Sequence, residues 1–299
     1  MQRETESALA SVKGIDTWPS DRVLKALLDG QRRAIASVEA ALPAIAKAAD
    51  EIAARLSSGG RLAYAGAGTS IRLAVQDGSE LPATFGFDPA KLVYLIAGGR
   101  AAMFDTLAEA EDDIAAARNE VREAALAAND SLIAVAASGT TPYTVEAARA
   151  ARAAGAFVVA IANNPGTALG TAAHVEIVLE SGPEVIQGST RMGAGTAQKA
   201  TLNLLSTLIN VKLGAIHDGM MVAVQAGNAK LRQRAAGIVA RIADVPEKTA
   251  LAALAEANGN VKAAVLLCLG STSPAHADSL LNASQGNLRR ALERLKHPR

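Results

Sequence analysis

The chain predicts an α/β fold, a three-layer doubly wound parallel sheet of the flavodoxin-like kind, followed by a small all-α domain. Five short apolar runs, Leu62–Ala67, Leu92–Ala97, Leu132–Ala137, Phe157–Ala162 and His174–Leu179, alternate with helical patterns. That alternation implies right-handed βαβ crossovers and a sheet buried on both faces. Two of the strand ends run into turns rich in glycine and hydroxyls that open helices, an arrangement found where open α/β sheets bind ligands. Beyond Asp244-Val-Pro246 the pattern changes to short helices separated by Asn258-Gly-Asn260, Ser271-Thr-Ser-Pro274 and Ser284-Gln-Gly-Asn287. The expected division is a helical segment over 1–56, the sheet domain over 57–243 and a helical domain over 244–299.

From Trp18 to Leu56 apolar residues recur at three- and four-residue spacings, which predicts amphipathic helices with a break expected near Pro43. Ser57-Ser-Gly-Gly60 hands over to the first strand. The second strand ends at Gly98-Gly99, and the helix expected after it carries Glu109, Glu111, Asp112 and Asp113. The fourth strand ends in Asn163-Asn-Pro-Gly166, and the loop Gln187–Thr196 feeds a long helix predicted over Ala197–Leu213.

Composition narrows the class of function. The 299 residues are 50% apolar but only 3% aromatic, enough for a large core of small side chains. With a net charge of +1 and no Lys/Arg run, nothing suggests a nucleic-acid face. Cys268 is the only cysteine and sits in the apolar run Val265–Leu269, so it reads as a packed side chain, with no disulfide framework or zinc spacing. The chain opens on Met1-Gln-Arg-Glu-Thr-Glu6 without an apolar signal region, and no run of about 18 apolar residues occurs. The expectation is a cytoplasmic, soluble protein with neither a membrane nor a nucleic-acid partner.

The chemistry concentrates in Gly66-Ala-Gly-Thr-Ser70. Gly66 and Gly68 permit a tight turn, while Thr69 and Ser70 suit a helix cap and direct hydroxyls and N–H groups toward an anion. A dinucleotide fingerprint would want glycine where Ile71 stands, and the Gly-Lys-Ser/Thr of a P-loop is absent. Ser138-Gly139-Thr140-Thr141-Pro142 repeats the arrangement after the third strand, with Thr141 before a proline that suits the first helical turn. The ligand such turns suit is a dianion held without metal, because no carboxylate cage for Mg²⁺ stands beside them.

Several stretches together carry a family likeness: Gly66-Ala-Gly-Thr-Ser70, Asp77-Gly-Ser-Glu80, Ala110-Glu-Asp112, Ala136-Ala-Ser-Gly139, Thr141-Pro-Tyr143, Asn164-Pro-Gly166, Gly182-Pro-Glu-Val185, Gly188-Ser-Thr-Arg191, Ala194–Lys199, Asn228–Arg232 and Gly259-Asn-Val-Lys262. They resemble the N-acetylmuramic acid 6-phosphate etherases from about residue 59 to the end, with only Thr5-Glu6 before that. The resemblance implies a sugar isomerase (SIS) domain in a homodimer with a small helical C-terminal domain, acting in peptidoglycan recycling. It implies cleavage of the D-lactyl ether of the sugar phosphate to N-acetylglucosamine 6-phosphate and D-lactate, with no metal or organic cofactor. By resemblance, substrate is bound by Gly68, Thr69, Ser70, Ser138, Gly139, Thr141, Ser189, Thr190 and Lys199. The catalytic pair is Glu80, as acid for the departing lactate, and Glu111, as base for C2.

Read by position alone, Glu80 is a helix-terminal surface carboxylate and Glu111 belongs to the solvated face of an acidic helix. The reaction gives them work: ring opening puts the C3 oxygen β to an aldehyde, so a base at C2 and an acid at the leaving oxygen permit elimination, after which water adds at C3. His174, His217, His276 and His297 lie outside the matched loops, so no histidine catalysis is expected. Three positions depart from the family pattern: Ile71 replaces a glycine, Thr140 an arginine and Gly193 a lysine. Fewer cations would weaken anion binding or mark another substrate. The competing readings are a sugar-phosphate-binding regulatory module resembling the glucokinase regulatory protein, and an aldose-ketose isomerase.

Overall fold

A computed structural model describes residues 5, 7–105, 107–224 and 229–297. Glu6 and Asn228, both in stretches that carry the family likeness, lie outside the described residues. By packing, the chain forms two compact units: the chain up to Gly78 with Ala90–Ser206, and Ser79–Pro89 with Thr207 onward.

The first unit holds a parallel sheet in the order β2-β1-β3-β4-β5, built from β1 (Leu62–Gly66), β2 (Leu92–Ile96), β3 (Ser131–Ala136), β4 (Phe157–Ala162) and β5 (Val175–Val178). β1, β3 and β4 are buried at every position, as continuous apolar runs require when helices cover both faces. Alternation along the strands sorts the two layers. Ala63, Ala65, Leu132, Ala134, Val158 and Ala160 pack in one core with Val121 of α3 (Ile114–Glu123), Tyr143 and Ala147 of α4 (Pro142–Ala153) and Leu169 of α5 (Ala168–Ala172). On the opposite face Tyr64 reaches Asp77 of α2 (Gly68–Phe85) with its hydroxyl at 3.3 Å, and α1 (Ser20–Ser57) packs on β4 and β5.

Two boundaries differ from expectation for physical reasons. α1 runs unbroken through Pro43, because Ala41, Ile45, Ala48, Ala49 and Ile52 are buried along the same face and hold the turns on either side. α6 (Gly193–Lys212) starts before Ala197, because Glu184, 5% exposed, accepts the Gly193 and Ala194 amides at 2.9 and 2.8 Å. A carboxylate satisfying first-turn amides favours the helix start energetically.

In the second unit a ribbon of β6 (Ile216–His217) and β7 (Met220–Met221) precedes α7 (Ala229–Ala243), α8 (Glu247–Glu256), α9 (Val261–Cys268), α10 (Pro274–Ala283) and α11 (Leu288–Lys296). Their core includes Val239, Leu254, Val265, Leu266 and Leu288, so α7, which precedes the composition change at Asp244, packs with the helical unit. Cys268 is half-buried against this core and burial pushes its thiol up, as suits a packed side chain. Among the described residues no single helix is long and apolar enough to cross a membrane.

Candidate active site

At the carboxyl ends of β1, β2 and β3 the first unit encloses a cavity of about 680 Å³. α2 and α4 both begin at this edge, so their first-turn N–H groups and positive dipole ends face it. α2 starts at Gly68, with φ +53°, so Thr69 and Ser70 stand inside its first turn instead of capping it. Gly139, φ +66°, makes the second turn: a Cβ there would come within 2.4 Å of Thr167. The turn is tied down by Asn164, whose Nδ2 donates to the Ala137 carbonyl at 2.9 Å.

Hydroxyls complete the cradle. Ser138 Oγ accepts from the Thr140 amide at 3.2 Å and from Thr140 Oγ1 at 3.3 Å, with Thr141 Oγ1 at 3.5 Å. Ser138, Thr140 and Thr141 thus form one hydroxyl cluster on the cavity wall. Thr141 is the N-cap residue and Pro142 the first residue of α4, as the sequence predicts, and the Thr141 side chain makes no cap hydrogen bond.

Beside this donor-rich floor stands Glu111. It lies on a 3₁₀ turn, Ala108–Asp112, and not on an α-helix as expected; the α-helix begins only at Ile114, where Asp113 caps it through the Ala116 amide at 2.8 Å. Glu111 Oε1 approaches the start of α2 so closely that a Cβ on Gly68 would sit 3.2 Å from it. Burial, with the nearby Asp112 charge, raises its carboxyl above the usual glutamate range, which makes it a stronger base. Asp105 and Asp112 also line the cavity, and the cation on its wall is Arg72. Arg72 donates to the Ala102 carbonyl at 2.8 Å and the Asp105 carbonyl at 2.8 Å, so it braces the loop after β2. An anion would therefore be held chiefly by amides and hydroxyls.

The cavity brings together Gly68, Thr69, Ser70, Ser138, Thr141, Thr190 and Glu111, with Gly139 inside the second turn. Ser189 and Lys199 do not line it, and Lys199 is exposed on α6. The first-turn Gly193 and Ala194 amides of α6 are occupied by the chain's own Glu184. Glu80 is exposed and is not among the residues that line the cavity. Of the three departures from the family pattern, Ile71 is fully buried and Gly193 donates to Glu184; only Thr140 lines the cavity. No histidine lines it, and no cluster of three or more metal-ligating side chains occurs among the described residues. Arg72, Asp105 and Asp112 line the cavity beyond the expected residues; Arg72 stands two residues after Ser70 and Asp112 next to Glu111, places the sequence itself marks, whereas nothing local marks Asp105.

A parallel sheet with helix-opening cradles at one edge is the frame of a sugar isomerase (SIS) domain, and this chain is a SIS-domain protein. Residues 107–208 match the SIS domain, and residues 44–151 match the glucokinase regulatory protein N-terminal SIS domain. More particularly, the chain belongs to the N-acetylmuramic acid 6-phosphate etherase family. It is 43% identical over 290 residues to the etherase of Deinococcus radiodurans, covering 97% of this chain and 95% of that one. It is 43% identical to the etherase of Streptomyces avermitilis, covering 96% and 93%, and 41% identical to that of Aeromonas hydrophila, covering 93% of each. Among solved structures, a phosphoheptose isomerase from Francisella tularensis is similar at 20% identity and a TM-score of 0.48, covering 65% of this chain and 98% of that one.

Proposed function

We propose that this protein cleaves the D-lactyl ether of N-acetylmuramic acid 6-phosphate, giving N-acetylglucosamine 6-phosphate and D-lactate. The observation that carries the reading is the raised carboxyl of Glu111 against the start of α2, in a chain whose relatives match over nearly its whole length. The phosphate sits among Thr69, Ser70, Ser138 and Thr141, where two helix N-termini supply amides and partial positive charge. After ring opening, Glu111 takes the C2 proton. The C3–O bond breaks with its electrons going to the lactate oxygen, which receives a proton from Glu80. Water then adds across the resulting double bond, hydroxyl at C3 and proton at C2, so the net reaction is hydrolysis of the ether.

Glu80 does not line the cavity, so in this reading it comes from a second copy of the chain. A homodimer also suits α1, whose residues Leu28, Ile35 and Leu42 recur every seventh position and are 48%, 45% and 46% exposed. Ser189 and Lys199 would serve the same shared site. A phosphorylated sugar does not cross a bilayer unaided, so the reading places the reaction in the cytoplasm, in peptidoglycan recycling.

Incubating the purified protein with N-acetylmuramic acid 6-phosphate and, separately, with N-acetylglucosamine 6-phosphate in deuterated water tests the reading. Lactate release from the first supports it; ketose formation from the second would make the protein an isomerase, and binding without turnover a sensor.

A further inference from the structure

Behind the cavity wall lies a pair of side chains that the proposed chemistry does not use. Tyr143 is fully buried in the first turn of α4, two residues past Thr141, and its hydroxyl donates to Glu120 Oε2 at 2.5 Å. Glu120 belongs to α3, the helix that begins directly after the turn carrying Glu111. The same carboxylate takes a hydrogen bond from the backbone of Ile96, the last residue of β2 and the neighbour of cavity-lining Ala97. β2 is an edge strand, so this bond engages a main-chain group on which no further strand pairs.

One carboxylate thus joins three walls of the cavity: the Ser138–Thr141 turn through Tyr143, the end of β2 through Ile96, and the Glu111 turn through α3. Burial raises the Glu120 carboxyl, opposed by the Tyr143 and Ile96 hydrogen bonds, and Glu123 and Asp113 are the other charged groups near it. Half-burying a carboxylate without a cation is unfavourable unless its hydrogen bonds are kept. The arrangement therefore resists any shift of α4 against α3.

We propose that Glu120 is a positioning residue, clamped by Tyr143, that fixes the distance between the phosphate-binding turn at Ser138–Thr141 and the base Glu111. This rests on the etherase reading of the site. The clamp touches no substrate; it acts by holding two groups that must engage one molecule at once, where a displacement of about 1 Å costs up to about a hundredfold in rate.

The test uses the full chain with Tyr143→Phe, Glu120→Ala and Glu120→Gln. Three quantities are read: melting temperature, affinity for inorganic phosphate, and the rate of C2 hydrogen exchange into N-acetylmuramic acid 6-phosphate. Tyr143→Phe, which removes a hydrogen bond from the Glu120 carboxylate, should lower the melting temperature modestly and keep the phosphate affinity while slowing exchange at least about tenfold. Glu120→Gln, whose amide oxygen can still accept from Tyr143, should recover part of what Glu120→Ala loses. Wild-type exchange in Tyr143→Phe would overturn the proposal. So would a loss of exchange matched by equal losses of phosphate affinity and melting temperature, because a merely structural role predicts that. A wild-type protein that releases no lactate would overturn the etherase reading and this inference with it, whereas an active wild type with unaffected variants would overturn the inference alone.

Discussion

Glu111 Oε1 stands 3.2 Å from the position a Cβ would take on Gly68, so this carboxylate and the first turn of α2 meet at a residue without a side chain. Gly68 also has φ +53°, where a side chain adds strain of about 1–2 kcal/mol. Gly68→Ala should therefore lower stability only by about that amount while displacing the carboxylate. Calorimetry paired with C2 exchange checks this: a modest fall in melting temperature with a much larger fall in exchange is expected.

Ser138→Ala should act on binding. Its hydroxyl lines the cavity in a cluster with Thr140 and Thr141, and in the proposed placement removing it deletes a hydrogen bond to a charged group, worth about 1.5–3 kcal/mol. Steady-state kinetics should show KM raised roughly ten- to a hundredfold with kcat nearly unchanged. An unchanged KM would contradict the phosphate placement.

The far edge of the sheet makes a stability prediction. Asp130, its side chain 7% exposed, accepts from the Arg61 and Ala127 amides and pairs with the Arg61 guanidinium at 2.7 Å. Burial pushes its carboxyl up, but the Arg61 hydrogen bonds and charge, with the Ala127 amide, bring it below the usual range. A carboxyl depressed on folding stabilises the fold above its unfolded value of ~3.9, and the contribution fades as pH falls through the folded value. Asp130→Asn should cost about 2–4 kcal/mol at neutral pH, and denaturant titrations should show the gap to wild type shrinking below about pH 4.

How far these features were legible in the sequence follows from how local they are. The two cradles could be read from Gly66–Ser70 and Ser138–Pro142 because glycine, hydroxyl and proline act within one turn. The Ala108–Asp112 turn could not, since a 3₁₀ segment leaves no helical periodicity, and the position of Glu111 is fixed by packing against α2. The early start of α6 depends on Glu184, nine residues upstream of Gly193 and too distant for a local capping pattern. Pro43 misled for the converse reason: a local helix breaker is overridden by burial along α1.

If Glu80 acts across a dimer, light scattering at micromolar concentration should report about twice the 30.5 kDa monomer mass. Mixed, refolded Glu80→Gln and Glu111→Gln chains should regain about a quarter of wild-type activity, because half the dimers carry one site with both carboxylates intact. An active monomer, or no recovery on mixing, would contradict the shared site.

The most direct test of the two-carboxylate account follows C2 hydrogen exchange by proton NMR alongside lactate release, in Glu80→Gln and Glu111→Gln separately. Glu80→Gln should still exchange C2 hydrogen while failing to release lactate, because proton abstraction precedes departure of the leaving group. Glu111→Gln should lose both by about 10² to 10⁴ in rate. Exchange lost in Glu80→Gln and kept in Glu111→Gln would reverse the roles, and full lactate release by both variants would contradict the account.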